Sequence, residues 1–316
     1  MFGFIKKKFL YRFIYVEIQD NLVTVNIYDI KNSNLLSQSS EDFVLESKDS
    51  FTDELINYIN TKQEELSRSY VVTLLNSQGQ GIIPTCSATK FKDYSVDRRY
   101  IYNICVDNLF TNFVSKIEIN WLQKTFAKTG IDFIFSPFVI LKDLVEKEEV
   151  STEVLLYILY YNQNVTLVIK QGNKYIYGDF FNTRIADENP LYSDYDNEDE
   201  ESDEDEFEIE DEYEFEDEDD EINLEEDGED LNIKEVELIE ENKGFAKHLS
   251  SSLKEFYSNK RYESNFIDRV KIFSENEVDN SVLTYMEDEL LLSTTVDYIN
   301  MDEEIIKLCK KEVFSV

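Results

Sequence analysis

An acidic block between Ser193 and Asn242 constrains the fold of this chain more than any other feature. The block holds 30 of the chain's 68 acidic residues and a single lysine, Lys234, so it carries −29 of the formal net charge of −37. A segment with this much like charge repels itself and cannot enter a core without burying unpaired carboxylates. We therefore expect a long disordered acidic insertion that interrupts an otherwise ordinary folded protein.

Composition narrows the class of protein. Hydrophobic residues make up 42% of the chain, which is enough for a substantial core outside the block. The cysteines, Cys86, Cys105 and Cys309, are far apart and form no CxxC pair, which favours a reducing compartment and argues against a zinc site or disulfide framework. We expect Cys105 to be an inert thiol in the core. The net acidity argues against nucleic-acid binding, because contact with phosphates needs a basic face.

Hydrophobic periodicity in the first half predicts a three-stranded meander followed by alternating helices and strands. Strands are expected at residues 13–18, 22–28, 70–75, 100–106 and 131–135 and within 35–45, and helices near 55–66, at 118–129 and from Pro137 to about residue 147. Gln78–Ile82 is the only glycine-rich stretch. No Gly-Lys-Ser/Thr sequence follows it, so we expect a plain loop there and not a phosphate-binding loop.

The second half repeats this order of elements. Strands are expected at residues 154–161, 165–170, 174–181, 269–273 and 289–296, and helices at 236–259, around 278–288 and after a cap at Asn300. The repeated order predicts an α/β protein with two subdomains, residues 1–150 and 151–316. The second subdomain is interrupted by the acidic insertion at residues 193–242.

A duplicated meander followed by α/β elements resembles the actin-like (RNase H-like) fold. Within that fold, residues 13–28, 131–137 and 155–181 resemble the PilM and GspL families, cytoplasmic platform proteins of type IV pilus and type II secretion machines. The resemblance implies a non-enzymatic scaffold of a bacterial pilus, secretion or DNA-uptake machine, in the cytoplasm and peripheral to the inner membrane. The implied partner is a bitopic, PilN-like inner-membrane assembly protein whose tail lies in a groove between subdomains.

The chain departs from the pattern of actin-like ATPases at the nucleotide site. Those proteins hold phosphates with a glycine-containing turn in each half, because glycine lets backbone N–H groups approach the anion closely. The corresponding stretches here, residues 18–22 and 161–166, contain no glycine. We therefore expect no catalytic residue, no cofactor and no metal. The alternative is a divergent actin-like ATPase or kinase that uses Asp20 and Thr166 near the phosphates.

The N-terminus combines aromatic and basic side chains. Its candidate membrane-contact residues are Phe4, Lys6, Lys7, Lys8, Phe9 and Arg12. Such a patch could rest on anionic lipid, where each cation contributes about 1 kcal/mol. The alternative is that the apolar residues pack on the first strand while the lysines stay solvated.

The acidic block also has two interpretations. It could be a solvated spacer, or it could be a tail that binds a basic partner, because Phe207, Ile209 and Tyr213 alternate with carboxylates. The second interpretation makes the protein an interaction module whose folded parts only display the tail.

Overall fold

The computed structural model describes residues 9–45, 50–184, 233–262 and 265–314, with the backbone alone for 233–240. Most of the predicted disordered insertion therefore lies outside the described residues. Its last ten residues are described, and they belong to the helix that was also expected, at residues 236–259, so the expected disorder does not extend over them. Residues 233–242 begin the long helix Ile233–Ser258, three residues earlier than the apolar periodicity indicated.

The first half is built on a five-stranded sheet. Its strands are β1 (Leu10–Gln19), β2 (Leu22–Lys31), β3 (Asn34–Val44), β4 (Ser69–Leu74) and β8 (Phe133–Phe135). The order is β3-β2-β1-β4-β8, with an antiparallel meander followed by strands parallel to β1. Non-glycine residues with positive φ form the first two turns, among them Asp20 (51°) and Asn32 (54°). Such values suit the tight turns that connect twisted hairpins.

The second half has the same topology. Its strands are β9 (Val154–Tyr161), β10 (Asn164–Gln171), β11 (Lys174–Asn182), β12 (Arg269–Ser274) and β13 (Ser293–Tyr298). The order is β11-β10-β9-β12-β13, and β12 runs parallel to both β9 and β13. The repeated strand order confirms the predicted fold class, a duplicated actin-like α/β fold.

Helices cover both sheets. They are α1 (Asp53–Glu64), α2 (Lys116–Thr125), α3 (Pro137–Val145), α4 (Ile233–Ser258), α5 (Asn280–Thr284) and α6 (Met301–Phe314). A 3₁₀ helix spans Ala88–Tyr94, and a π-helical turn, Tyr285–Glu289, continues α5. The predicted cap of α6 is confirmed, because the Asn300 side chain accepts a hydrogen bond from the Glu303 N–H at 2.9 Å. Among the described helices none is long and apolar enough to cross a bilayer.

A third sheet was not predicted. It consists of β5 (Gln80–Ile83), β6 (Ile101–Val106) and β7 (Phe110–Ser115), all antiparallel, in the order β5-β7-β6. The prediction of a plain loop at Gln78–Ile82 is therefore wrong over its second part, which forms buried strand β5. This sheet contacts the second half where β5 meets β11. A Cβ on Gly178 would come within 2.8 Å of the Ile82 side chain, so this close approach of two strands requires glycine.

The cysteines also differ from prediction, and the bond between two of them removes their support for a reducing compartment. Cys86 and Cys105 form a disulfide, and Cys105 lies on the exposed face of β6 and not in the core. Sequence spacing missed the pair because the folded sheet brings together residues that are 19 positions apart. Cys309 is buried in α6, and burial raises the pKa of its thiol.

The two halves share one core. Phe13 and Tyr28 of the first sheet, Leu159 of the second, and Phe138 and Ile305 from helices α3 and α6 belong to a single buried cluster. Each half also has its own core on the far side of its sheet. The shared cluster fixes the relative position of the halves and therefore the shape of the clefts between them.

Candidate functional site

A polar cleft of about 850 Å³ lies between the halves at the ends of their central strands. Its walls include Gln19, Asp20, Asn76, Asn162, Asn164 and Asn276. The cleft therefore lies where the two hairpin turns of the duplicated fold, β1–β2 and β9–β10, approach each other.

Side chains bridge these turns directly. Arg184, just after β11, forms an ion pair with Asp20 of the β1–β2 turn. The side-chain amide of Asn162 donates a hydrogen bond to Glu17 at 2.6 Å, and the Tyr161 hydroxyl donates one to Asn76. These contacts tie one half to the other across the floor of the cleft.

The turns reach their geometry without glycine. Asp20, Asn162 and Gln163 have φ values of 51°, 45° and 63°. The second hairpin thus places two side chains at its tip, where a glycine would leave the backbone N–H groups open to an anion. The arrangement offers amides and carboxylates to the cleft.

The two residues predicted for a nucleotide site are not brought together. Asp20 lines the cleft and pairs with Arg184. Thr166 lies within β10, is 1% exposed, and its hydroxyl has no hydrogen-bond partner among the described residues. Its position is inside the sheet and not on the cleft wall.

Two half-buried acidic groups, Glu17 and Glu275, lie close to the cleft. Burial raises the pKa of Glu17, although Gln19 and Asn162 donate hydrogen bonds that oppose the change. Burial also raises the pKa of Glu275, and the charge of Asp302 adds to that effect. A negatively charged phosphate would be repelled by these carboxylates unless a cation accompanied it. Within the described ranges, no cluster of three or more His, Cys, Asp or Glu residues could hold a metal.

Of the six predicted membrane-contact residues, the structure describes Phe9 and Arg12. Phe4, Lys6, Lys7 and Lys8 lie outside the described residues. Phe9 is 41% exposed, and the Arg68 guanidinium lies 3.9 Å from its ring centroid.

The Arg12 side chain forms ion pairs within the fold. Its side chain is 13% exposed and pairs with Asp29 at 2.7 Å and with Glu65 at 2.5 Å. These hydrogen bonds lower the pKa of Asp29. The guanidinium therefore joins β1, β2 and the end of α1, because a partly buried charge requires partners inside the fold.

A second concave site, which we call the edge groove, has a volume of about 600 Å³. Its walls are β6, β8, α3 and the last turn of α6, represented by Ile104, Phe133, Val139 and Lys311. Both strands are edges of their sheets, because β6 pairs with β7 and β8 pairs with β4. Two strand edges thus meet at one groove.

Apolar side chains on β6 are exposed at this groove. Tyr102 is 48% exposed and Ile104 is 63% exposed. Single exposed apolar residues are common, but a pair on an edge strand beside a groove indicates a binding surface.

Charged residues form part of the wall of the edge groove. Lys142 of α3 has a side chain only 4% exposed and pairs with Asp107, with Glu146 at 2.9 Å and with Asp143 at 3.4 Å. Burial lowers the pKa of Lys142, but the hydrogen bonds that Lys142 donates to Asp107 and Glu146 outweigh this effect, and the net pKa is raised. Lys311 pairs with Asp143 at 2.6 Å.

The groove has an acidic balance. Its lining includes four carboxylates, those of Asp107, Asp132, Asp143 and Glu312. Among the described lining residues the cations are Lys142 and Lys311, so these residues carry a formal charge of −2. The groove therefore favours an apolar ligand that carries positive charge.

Sequence reasoning did not identify this groove. Ile104, Phe133 and Lys311 are far apart in the chain, and their meeting depends on the third sheet, which was not predicted. The sequence signal for the groove was the pair of apolar residues at alternate positions, Tyr102 and Ile104. From sequence alone, this pattern could not be distinguished from that of a strand in the core.

Solved structures with similar folds include a Bacteroides thetaiotaomicron protein described as having an actin-like ATPase fold and unknown function, at 10% identity, covering 97% of this chain and 99% of that chain, with a TM-score of 0.47. A PilM–PilN type IV pilus biogenesis complex is similar at 11% identity, covering 94% and 89%, with a TM-score of 0.49. Acetate kinase from Entamoeba histolytica is similar at 10% identity, covering 96% and 100%, with a TM-score of 0.42.

Comparisons of sequence point to two families. No curated protein sequence matches the chain. Residues 9–142 match a domain of unknown function, DUF8569. Residues 156–314 match another domain of unknown function, DUF8341. The second match spans half of the sequence, and this chain therefore belongs to the DUF8341 family.

Proposed function

We propose that this protein is a non-enzymatic scaffold whose edge groove binds an extended, apolar and positively charged segment of a membrane assembly protein. The observation that carries this proposal is the meeting of two strand edges, β6 and β8, at one groove that exposes Tyr102 and Ile104.

Strand addition is the binding mode that fits this geometry. An edge strand offers unpaired backbone N–H and C=O groups, and an extended peptide can pair with them. Alternate side chains of the peptide would then contact the apolar wall formed by Ile104, Ile134 and Val139. Backbone pairing supplies affinity, and the apolar wall selects the sequence.

Electrostatics narrows the ligand further. The groove carries a formal charge of −2, so a peptide with lysine or arginine beside its apolar residues is attracted to it. Lys142 pairs with Asp107 and Asp143, and Lys311 pairs with Asp143, so Asp132 and Glu312 are the described lining carboxylates outside these ion pairs.

The polar cleft supports a non-enzymatic role. Arg184 and Asp20 bridge the two turns that would flank phosphates, and side chains at positions 162 and 163 stand where glycine would be needed. Saturable ATP binding with turnover would instead support the alternative, a divergent ATPase or kinase.

The sequence resemblance to PilM-like platforms suggests the kind of partner. It would be a bitopic, PilN-like inner-membrane protein of a pilus, secretion or DNA-uptake machine, and the scaffold would lie at the cytoplasmic face. The tail of such a protein is a free peptide segment, which is the form of ligand that the edge groove can accept.

A matched pair of variants tests the proposal. Ile104→Glu introduces a charge into the groove, whereas Leu36→Glu does the same on edge strand β3, where Leu36 is 60% exposed. Each purified protein would be used to capture partners from membrane extract. We expect the Leu36→Glu variant and the unaltered chain to retain the same bitopic membrane protein, and the Ile104→Glu variant to lose it. Equal retention by both variants would contradict the proposal.

The acidic block supplies a further control. A chain lacking residues 193–232 should still capture the partner if the groove is the binding site. Loss of capture in this variant alone would favour the alternative in which the acidic tail binds a basic partner.

A further inference from the structure

We propose that residues 1–8 of this chain are an intramolecular ligand of the edge groove and compete there with the partner segment. This inference rests on the proposed function of the groove. It assigns to the N-terminus a binding surface within the protein itself, in place of a lipid surface.

The described chain begins next to the groove. Phe9 lies in a small pocket of about 400 Å³ whose walls include Arg68, Tyr70, Phe133 and Glu312. Phe133 and Glu312 also line the edge groove, so the pocket and the groove adjoin. Phe9, the first described residue, therefore lies beside the groove.

Contacts between neighbouring side chains connect Phe9 to the wall of the edge groove. The Arg68 guanidinium lies 3.9 Å from the Phe9 ring centroid, and the Tyr70 and Phe133 rings are 5.5 Å apart. Phe133 stacks on Phe135 at 5.9 Å, and both residues line the groove. An apolar surface thus leads from Phe9 to the wall of the groove.

The chemistry of the segment matches that of the surface. Residues 1–8 read Met-Phe-Gly-Phe-Ile-Lys-Lys-Lys, with the three lysines nearest to Phe9. Glu312, which is exposed, lies at the junction where those lysines would be. Phe2, Phe4 and Ile5 would then reach the apolar wall beyond it. The segment has the apolar and positively charged character that the groove favours.

The length of the segment is also sufficient. Eight extended residues span roughly 26 Å, whereas the six residues of β6 span roughly 20 Å. The segment is therefore longer than this strand edge, and it starts from Phe9 beside Phe133 of β8. Because it is tethered, its effective concentration at the groove is high, and a free partner must displace it.

Photo-crosslinking within the full chain tests this placement. p-Benzoylphenylalanine would replace Phe4, and the same group would replace Leu36 in a control chain. An equimolar mixture of unlabelled and ¹⁵N-labelled chains, irradiated without lipid, would distinguish crosslinks within one chain from crosslinks between chains. We expect the Phe4 probe to react within its own chain at residues 102–106 or 133–139. We expect the Leu36 probe to leave those residues unmodified.

A charge variant provides the second readout. Changing Lys6, Lys7 and Lys8 together to Glu should lower the yield of the groove crosslink about fivefold, because three cations that the acidic groove attracts become anions that it repels. The same substitution should raise capture of the membrane partner in the assay above. Crosslinks only between chains, only outside the groove or absent altogether would overturn the inference. A yield unchanged by the lysine substitutions would also overturn it.

The experiments can disprove the proposed function and the intramolecular ligand independently of each other. If the Phe4 probe reacts in the groove but Ile104→Glu does not affect partner capture, then the groove is an internal site and the proposed function is wrong. If Ile104→Glu abolishes capture while the Phe4 probe never reaches the groove, then the proposed function stands and the intramolecular ligand does not exist.

Discussion

Asn162 donates a hydrogen bond to Glu17 at 2.6 Å, which joins the β9–β10 turn of the second half to β1 of the first. The contact draws a carboxylate into the floor of the polar cleft, where burial raises its pKa. The two halves are therefore held together by a group whose protonation depends on pH.

The raised pKa of Glu17 predicts a pH-dependent stability. The folded state binds a proton more tightly than the unfolded state, whose pKa is near 4.5, so stability falls as pH rises from that value through the raised folded pKa. The same direction applies to Glu275. We expect Glu17→Gln to raise the melting temperature more at pH 8 than at pH 4.5, since the amide keeps an acceptor for Asn162 without the charge. Scanning calorimetry at both pH values measures this, and an equal effect at both would contradict it.

The disulfide predicts a defined pattern of thiol reactivity. Cys86 and Cys105 are bonded and Cys309 is buried, so the oxidised native protein should expose no reactive thiol. Denaturation without reductant should release one thiol, and denaturation with reductant should release three. Reduction should also lower the free energy of unfolding by about 3 kcal/mol, the usual effect of closing a loop of this length. Three reactive thiols without reductant would show that the bond does not form.

Gly178 and Ile82 should be energetically coupled. A Cβ at position 178 would approach the Ile82 side chain to 2.8 Å and the Leu167 carbonyl oxygen to 3.0 Å. We expect Gly178→Ala to destabilise the protein by about 1–3 kcal/mol through overpacking. In an Ile82→Ala background that penalty should shrink by about 1 kcal/mol, because most of the clash is removed. Denaturant unfolding of the four proteins in this cycle measures the coupling, and strictly additive losses would contradict the close packing of β5 on β11.

Replacing Arg12 distinguishes a structural role of its side chain from a role in lipid binding. Its guanidinium donates two hydrogen bonds to Asp29, at 2.7 and 2.9 Å, from a side chain that is 13% exposed. Arg12→Ala should therefore cost about 2 kcal/mol of stability, since Asp29 is left partly buried without its partner. Arg99→Ala is the control, because that side chain is 78% exposed in its pair with Asp97 and its removal should leave the free energy of unfolding almost unchanged. A stable Arg12→Ala variant that no longer binds anionic vesicles would restore the lipid interpretation.

Local patterns predicted the two meanders because alternation of apolar residues and turns such as Asp20-Asn21 are written within a few consecutive positions. The cap at Asn300 was predictable for the same reason. Strand β5 of the third sheet was missed because it has only four residues, two of them Gln80 and Gly81, which do not favour strands. The disulfide and the edge groove were missed because each depends on where that sheet lies in space.

The central claim is that the partner binds in the edge groove and not in the polar cleft. Photo-crosslinking of the partner from one position in each site tests this claim most directly. p-Benzoylphenylalanine would be placed at Ile104 in the groove or at Asn276 in the cleft, and each full chain would be irradiated with membrane extract. The expected result is a covalent adduct with one membrane protein at Ile104 and none at Asn276. An adduct at Asn276 without one at Ile104 would show that the cleft is the binding site and would contradict the assignment.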